Sequence, residues 1–164
     1  MLFRSQKLQF SDQLYTLPLS VAGSLINGTS KADNYSGSSG NDTINGLGGN
    51  DTLIGNGGND ILNGGTGTDS MNGGEGSDLY IIATTAEHPA AEIHDNGSIG
   101  IDEVRFAATA ASTLTLYAND TGIETVTIGT GVGASPVSTG TLAINVNASL
   151  VANALTISGN DGIN

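Results

Sequence analysis

The sequence contains no cysteine and no tryptophan, and only 3 Phe and 4 Tyr among its 164 residues. Without cysteine, the chain has no disulfide bonds and no thiolate metal sites. Only 4 lysine and arginine residues accompany 16 aspartate and glutamate residues, so the formal net charge is −12. Nucleic acids and anionic membrane surfaces are bound through basic side chains, so we expect neither as a partner. A chain this acidic is instead suited to binding cations.

Long hydrophobic runs are also missing, because no apolar stretch approaches the roughly 20 residues of a membrane-spanning helix. We therefore expect no membrane span. The sequence contains no HExxH, G-x-S-x-G or P-loop motif, and we expect a protein that is not an enzyme. The hydrophobic fraction of 37% nevertheless places the chain outside the simple disordered class.

The most informative feature of the sequence is a nine-residue repeat, which begins at Gly28 and runs for six rows. Every row has glycine first, aspartate sixth and an apolar or aromatic residue eighth, and Lys31 is the one exception to glycine in fourth place. A flexible glycine-rich linker would keep no such phase. The sixth positions are Asp33, Asp42, Asp51, Asp60, Asp69 and Asp78, and the eighth are Tyr35, Ile44, Leu53, Leu62, Met71 and Tyr80.

The pattern G-G-x-G-x-D-x-U-x over residues 28–81 resembles the RTX, or hemolysin-type, calcium-binding nonapeptide repeat. The resemblance implies an all-β fold, a right-handed parallel β-roll or β-helix solenoid in which two nonapeptides make one turn. Each nonapeptide would form a tight loop and then a short strand, whose eighth residue enters the core between two sheets. Glycine at positions one, two and four permits backbone angles that are closed to residues with a Cβ.

Residues 18 apart would lie directly above one another in such a roll, which gathers the aspartates into two columns. Parallel strands are about 4.8 Å apart, so successive carboxylates repel each other unless a cation lies between them. Ca²⁺ suits this position, because it accepts six to eight carboxylate and carbonyl oxygens in a flexible shell. We expect about four or more ions, in the rung pairs Asp33/Asp51, Asp42/Asp60, Asp51/Asp69 and Asp60/Asp78.

The resemblance also implies ligands from backbone carbonyls of the loops. The candidates are the carbonyls of Gly37, Gly40, Gly46, Gly48, Gly49, Gly55, Gly57, Gly58, Gly64, Gly65, Gly67, Gly74 and Gly76. Because Lys31 brings a positive charge and a side chain to the fourth position, we interpret residues 28–36 as a degenerate capping row.

Residues 78–106 resemble the segment that follows RTX blocks in many secreted proteins, which makes Asp95 and Asp102 candidate calcium ligands. The alternative is that both are ordinary solvated acids in turns. His88 and His94 lie near Glu92 and Asp95 in the sequence and could form an acid–base or metal cluster, but we expect two surface histidines. Asp120 lies outside the repeats, and we expect its replacement by alanine to have almost no effect on the calcium midpoint.

The chain divides into four segments: a strand-rich lead-in at 1–27, the RTX block at 28–81, a Thr/Gly-rich β extension at 82–156, and residues 157–164. In the extension, the alternating residues Leu114-Leu116 and Val126-Ile128 predict short strands that continue the solenoid without calcium loops. Residues 157–164 repeat the G-N-D-x-I-N of residues 40–45, with Asp161 at the ligand position. We therefore expect this sequence to be one unit of a longer tandem protein.

The leading functional hypothesis is a calcium-stabilised spacer or adhesive module of a large secreted or cell-surface bacterial protein. Its partners would be calcium, neighbouring RTX modules of the same chain and a surface glycan. The resemblance implies type I secretion, with folding outside the cell where Ca²⁺ is abundant. Two alternatives stay open. One is the C-terminal RTX domain of a secreted protease, lipase or alginate epimerase, and the other is a glycan- or ice-binding module on a Thr-rich face.

Overall fold

The computed structural model describes residues 7–9, 15–16, 23–130 and 142–160, and Asp161 lies outside these ranges. The described residues contain short β-strands and a single 3-10 turn at Thr85–Glu87. The strands are β1 Lys7–Gln9, β2 Tyr15–Thr16, β3 Leu25–Asn27, β4 Asn34–Ser36, β5 Thr43–Asn45, β6 Thr52–Gly57, β7 Ile61–Asn63, β8 Ser70–Glu75, β9 Leu79–Ile82, β10 Glu103–Phe106, β11 Ser112–Thr115, β12 Thr125–Ile128, β13 Ile144–Asn147 and β14 Thr156–Ser158. No helix in the described part of the chain is long and apolar enough to cross a membrane.

The strands form parallel sheets through which the chain winds as a roll. One sheet has the order β1-β3-β5-β7-β9-β10-β12-β14, a second has the order β2-β4-β6-β8, and β11 pairs with β13. From β1 to β9, successive strands alternate between the first two sheets, so two strands complete one turn. The predicted all-β parallel roll is therefore confirmed.

The register between neighbouring strands follows the nonapeptide period over residues 25–80. Each strand of the repeat pairs with the strand two nonapeptides further on, and the pairing places equivalent residues side by side. The pairs are Ile26 with Ile44, Ile44 with Leu62 and Leu62 with Tyr80 in the first sheet, and Tyr35 with Leu53 and Leu53 with Met71 in the second. The predicted stacking of residues 18 apart is thus present.

The eighth residue of every nonapeptide belongs to the core. All six of these side chains are at most 1% exposed, as the period predicted. Burying an apolar side chain of this size stabilises a fold by about 1.5–3 kcal/mol. The same core continues beyond the repeats through Val104, Phe106, Leu114 and Val126, so the extension shares one interior with the RTX block.

The rungs of the extension are longer than those of the repeat block. Glu103 pairs with Leu79 and Thr125 pairs with Glu103 in unbroken parallel register, although these partners are more than 18 residues apart in sequence. The additional residues are placed in the loops, one of which contains the 3-10 turn. The prediction that short strands continue the solenoid beyond residue 106 is confirmed by β11, β12, β13 and β14.

Candidate metal centre

The six aspartates of the repeat are all buried, and hydrogen bonds connect them into two columns. In one column, the N–H of Asp33 donates to Asp51 Oδ1 and the N–H of Asp51 donates to Asp69 Oδ1, both at 2.8 Å. In the other column, the equivalent bonds to Asp60 Oδ1 and Asp78 Oδ1 are both 2.7 Å long. In these four carboxylates, one oxygen therefore bonds to the preceding rung, and this bond fixes the orientation of the other oxygen.

The second carboxylate oxygen has no such partner in four of the loops. The Oδ2 atoms of Asp51, Asp60, Asp69 and Asp78 are buried and make no hydrogen bond within the described structure. A buried anionic oxygen without a partner is strongly destabilising. These four atoms are therefore the strongest structural indication that the loops bind a cation.

The unpartnered oxygens face the start of their own loops, where backbone carbonyls approach as well. A Cβ placed on Gly46 would lie 2.2 Å from Asp51 Oδ2 and 2.5 Å from the carbonyl oxygen of Gly64 in the next rung. On Gly55, a Cβ would lie 2.1 Å from Asp60 Oδ2. Carboxylate and carbonyl oxygens thus converge where a side chain would otherwise be, which is the donor set that Ca²⁺ prefers.

The glycines of the loops have two different roles, and one of them corrects the sequence analysis. Positive φ occurs at the second and fourth positions, for example at Gly49 (φ 114°) and at Leu47 (φ 75°). The glycines at the first position are not left-handed, so the expectation that they supply unusual backbone angles was wrong. They are needed because a Cβ would collide with the carboxylate.

The first two loops satisfy their aspartates without any ion. Thr29 donates to Asp33 Oδ2 through its N–H (2.7 Å) and its hydroxyl (2.9 Å), and Ser38 bonds in the same way to Asp42 Oδ2 (2.6 and 3.0 Å). Each hydroxyl also accepts the N–H two residues further on, at 3.1 Å. The sequence analysis marked only the first row as unusual, because of Lys31. The hydroxyl residue in second place is the signal that identifies both rows.

The column of Asp78 continues beyond the repeat to the two predicted acids. Asp102 Oδ1 accepts the N–H of Asp78 at 2.8 Å, which is the same type of bond that connects the earlier rungs. Asp78, Asp95 and Asp102 are buried, and each offers a carboxylate oxygen within 4.8 Å of the others. Asp95 is held by the hydroxyl of Tyr80 (2.6 Å), which in turn accepts the N–H of Gly73 (2.7 Å). The structure therefore brings Asp95 and Asp102 to the column and does not leave them as solvated turn acids.

The column of Asp69 also continues, through residues that the sequence analysis did not select as ladder residues. Glu92 Oε1 accepts the N–H of Asp69 at 3.0 Å, and Asp120 Oδ1 accepts the N–H of Glu92 at 2.9 Å. These partners are 23 and 28 residues apart, so an 18-residue period cannot reveal them. Asp120 also accepts the N–H of Tyr117 at 2.7 Å. Asp120 is therefore a buried member of this column, although it lies outside the repeats.

The two histidines have different environments. His94 is exposed, as expected, but His88 is only 3% exposed, and the expectation of a surface position was wrong for it. His88 Nδ1 lies 3.1 Å from Glu92 Oε2, and its Nε2 lies 3.0 Å from Asp120 Oδ2. The predicted alternative of an acid–histidine cluster is therefore present in part, with Asp120 in place of His94 and Asp95.

The stacked carboxylates have a high affinity for protons. Burial raises the pKa of Asp51 to about 6 and the pKa values of Asp60 and Asp78 to about 7, and the charges of neighbouring aspartates add to the effect. Burial likewise raises the pKa of Asp102 to about 7. The amide N–H bond to each carboxylate opposes the shift without cancelling it. The columns are therefore electrostatically unfavourable as bare anions, and a bound cation would relieve this repulsion.

Comparison with known proteins supports the assignment of the repeat. Residues 27–62 and 45–80 match the family described as HemolysinCabind, the RTX calcium-binding nonapeptide repeat (4 copies). Residues 27–80 therefore carry RTX calcium-binding repeats, which bind Ca²⁺ and typify secreted proteins. No curated protein matches the chain.

Among solved structures, the chain is similar to the solution structure of the AlgE6R3 subunit from the Azotobacter vinelandii mannuronan C5-epimerase. The two are 31% identical, with a TM-score of 0.35, and the match covers 65% of this chain and 53% of that one. The chain thus spans about half the length of that subunit.

Proposed function

We propose that the loops that connect the two sheets of the roll bind several Ca²⁺ ions, and that these ions stabilise the fold of a secreted or cell-surface protein. The observation that carries this proposal is the set of four buried, unpartnered Oδ2 atoms at Asp51, Asp60, Asp69 and Asp78. These carboxylates and the neighbouring loop carbonyls would hold the ions. Bound Ca²⁺ would supply the positive charge that the columns lack.

The donor set favours calcium over other metals. The atoms that converge beside Gly46 and Gly55 are carboxylate and carbonyl oxygens, which hard cations prefer. Zinc and copper favour nitrogen and sulfur, whereas Mg²⁺ requires a tight octahedral shell and retains its water molecules. Ca²⁺ tolerates irregular shells with ligands at roughly 2.3–2.6 Å, so it fits loops that are built mainly from backbone.

Calcium dependence gives the module a reason to fold only outside the cell. Extracellular calcium modules have dissociation constants of about 10⁻⁴–10⁻³ M, so they are filled in the millimolar calcium outside cells and not in the cytosol. We propose that the chain leaves the cell unfolded by type I secretion and then folds as ions fill the columns. The absence of cysteine agrees with this route, since folding then requires no oxidation.

We further propose that the module is structural or adhesive and is itself not an enzyme. The buried acids of the columns each use one oxygen to accept a backbone hydrogen bond of the ladder. This structural role accounts for their burial, so no catalytic role is needed to explain it. The eight-stranded sheet of the described residues has β1 and β14 as its edge strands, and neighbouring RTX modules of a tandem protein would extend it.

The test compares the calcium response of two variants that each lose one negative charge. Asp60→Asn keeps an oxygen for the N–H of Asp42 but removes the anionic Oδ2, whereas Glu75→Gln changes an exposed carboxylate. We expect Asp60→Asn to raise the calcium concentration at half-folding roughly tenfold or more, as expected when a metal site loses a charged ligand. Glu75→Gln should leave it unchanged. Equal midpoints for the wild type and Asp60→Asn would contradict the proposal.

A further inference from the structure

One column of carboxylates ends at a histidine. Beyond Asp69, the ladder passes to Glu92 and then to Asp120 through amide N–H bonds of 3.0 and 2.9 Å. The imidazole of His88 lies between the two remaining oxygens, 3.1 Å from Glu92 Oε2 and 3.0 Å from Asp120 Oδ2. The side chains of His88, Glu92 and Asp120 have no exposed surface.

This arrangement differs from the repeat loops in one respect. In the repeat, the second oxygens of Asp51 and Asp69 are buried and have no partner. Here, the second oxygens of Glu92 and Asp120 both contact a ring nitrogen of His88. In the repeat, the space between two stacked carboxylates would suit a cation. Here, the imidazole of His88 occupies that space.

The two contacts determine the charge of the ring. A neutral imidazole has one N–H donor and one acceptor nitrogen, so it can donate to only one carboxylate. Both of its neighbours are carboxylate oxygens, which accept hydrogen bonds when they are ionised. Only an imidazolium, in which both ring nitrogens donate, makes both of these contacts of about 3 Å hydrogen bonds to ionised carboxylates.

We propose that protonated His88 acts as a built-in cation that closes the Glu92–Asp120 end of this column without a metal ion. The inference deepens the proposed function and rests on it, because it states where the calcium-dependent part of the column would end. Loop 28–33 satisfies Asp33 through the hydroxyl of Thr29, so both ends of the column from Asp33 to Asp120 contain a closure that depends on the protein alone.

The surroundings of His88 support the protonated form. Burial by itself would lower the pKa of His88, but hydrogen bonds to Asp120 and Glu92, together with their charges, outweigh burial and raise it to about 9. The bond with His88 also lowers the pKa of Asp120. The other titratable groups nearby are Tyr117, whose ring centroid is 5.6 Å away, Asp69, whose backbone N–H donates to the far oxygen of Glu92, and Glu87, whose charge also acts on Asp69.

The expected pH dependence follows from the raised pKa. The unfolded chain protonates histidine at about 6.5, so the stabilisation by the imidazolium is complete below that pH and is lost as the pH rises through about 9. At neutral pH the closure should be present. The closure binds no ion of its own, so calcium should affect it only by folding the roll.

The direct test is nitrogen-15 NMR of the histidine rings in the full chain in saturating calcium, where the roll is folded. We expect both ring nitrogens of His88 to carry protons at pH 7.5 and to lose one near pH 9. A neutral His88 ring at pH 7.5 would overturn the inference. If the wild type bound no calcium at all, the proposed function would fail, but the ring titration would still decide the state of His88.

A variant provides the second test, with exposed His94 as the matched control. The ratio of the unfolding constants of His88→Ala and the wild type should fall more than tenfold between pH 7 and pH 10, because the wild type loses its imidazolium. His94→Ala should show no such trend. A constant ratio for His88→Ala would contradict the proposal. Should that variant fail to fold, the ring titration of the wild type decides.

Discussion

Protons should partly replace calcium in the aspartate columns. Burial raises the pKa values of Asp60, Asp78 and Asp102 to about 7, whereas an aspartate in the unfolded chain titrates near 3.9. Between these two values, the folded roll binds more protons than the unfolded chain does. The calcium-free roll should therefore become more stable as the pH falls from 8 to 5.

The size of this effect follows from the shifts. A carboxyl group whose pKa rises from about 4 to about 7 on folding gains about 2–3 kcal/mol of stability between pH 8 and pH 5. Solvent that enters the loops screens part of this energy, which leaves on the order of 1 kcal/mol for each group. Because the three groups are stacked and coupled, we expect a total of roughly 2–4 kcal/mol.

The assay is circular dichroism of the calcium-free protein at pH 8 and pH 5, where the chain that is weakly structured at pH 8 should gain β-structure at pH 5. Urea unfolding then measures the stability at each pH where the roll is folded. Calcium is removed with a chelating resin, since soluble chelators bind calcium poorly in acid. Asp60→Asn removes one titrating group, so at pH 8 it should be more stable than the calcium-free wild type, and its pH dependence should be weaker. Glu75→Gln, which changes an exposed acid, is the control.

A calcium-free wild type whose stability is unchanged or falls from pH 8 to pH 5 would refute this reasoning. It would mean that the carboxylates are not stacked in the calcium-free protein. His88 changes stability in the same direction over part of this range, because its pKa is also raised. Both proteins contain His88, so the difference in pH dependence of stability between the wild type and Asp60→Asn isolates the contribution of the column.

Three further predictions concern single side chains. Asp42→Asn should shift the calcium midpoint less than Asp60→Asn does, because Ser38 already satisfies Asp42 Oδ2; equal shifts in a calcium titration would contradict this. Leu53→Ala should lower the free energy of unfolding in saturating calcium by about 2–5 kcal/mol, as expected for a fully buried leucine, and a loss well below this would show a looser core. Asp120→Ala should lower the free energy of urea unfolding in saturating calcium by about 3–5 kcal/mol, because the Nε2 of buried His88 loses its carboxylate partner; a neutral effect would contradict the buried pair.

The sequence predicts the repeat block well, because in a solenoid the period of the sequence is also the register of the fold. Once six aspartates occur at intervals of nine, the two-column arrangement follows from two strands per turn. The burial of residues such as Leu53 and Leu62 follows in the same way, since the eighth position always faces the core. No side chain needs to be placed individually for these predictions.

The remainder of the site could not be predicted, because insertions break the period after residue 81. Glu92 and Asp120 join a column only after the 3-10 turn and a further loop have brought the chain back into register. His88 therefore has no periodic signal, and a lone histidine in a turn-rich segment is more typical of a surface. The sequence analysis also missed that Asp42 Oδ2 is already hydrogen-bonded, although Ser38 at the second position of the row could have indicated it.

The central claim is that calcium bound by the loops of residues 28–81 stabilises the roll. The most direct measurement is circular dichroism of the full chain at pH 8 during a calcium titration, with magnesium in a parallel sample. We expect a weakly structured chain without calcium and a cooperative gain of β-structure, with a midpoint between about 10 μM and 1 mM. Magnesium alone should not produce this gain. An unchanged spectrum on calcium addition, or full folding with magnesium, would contradict the account.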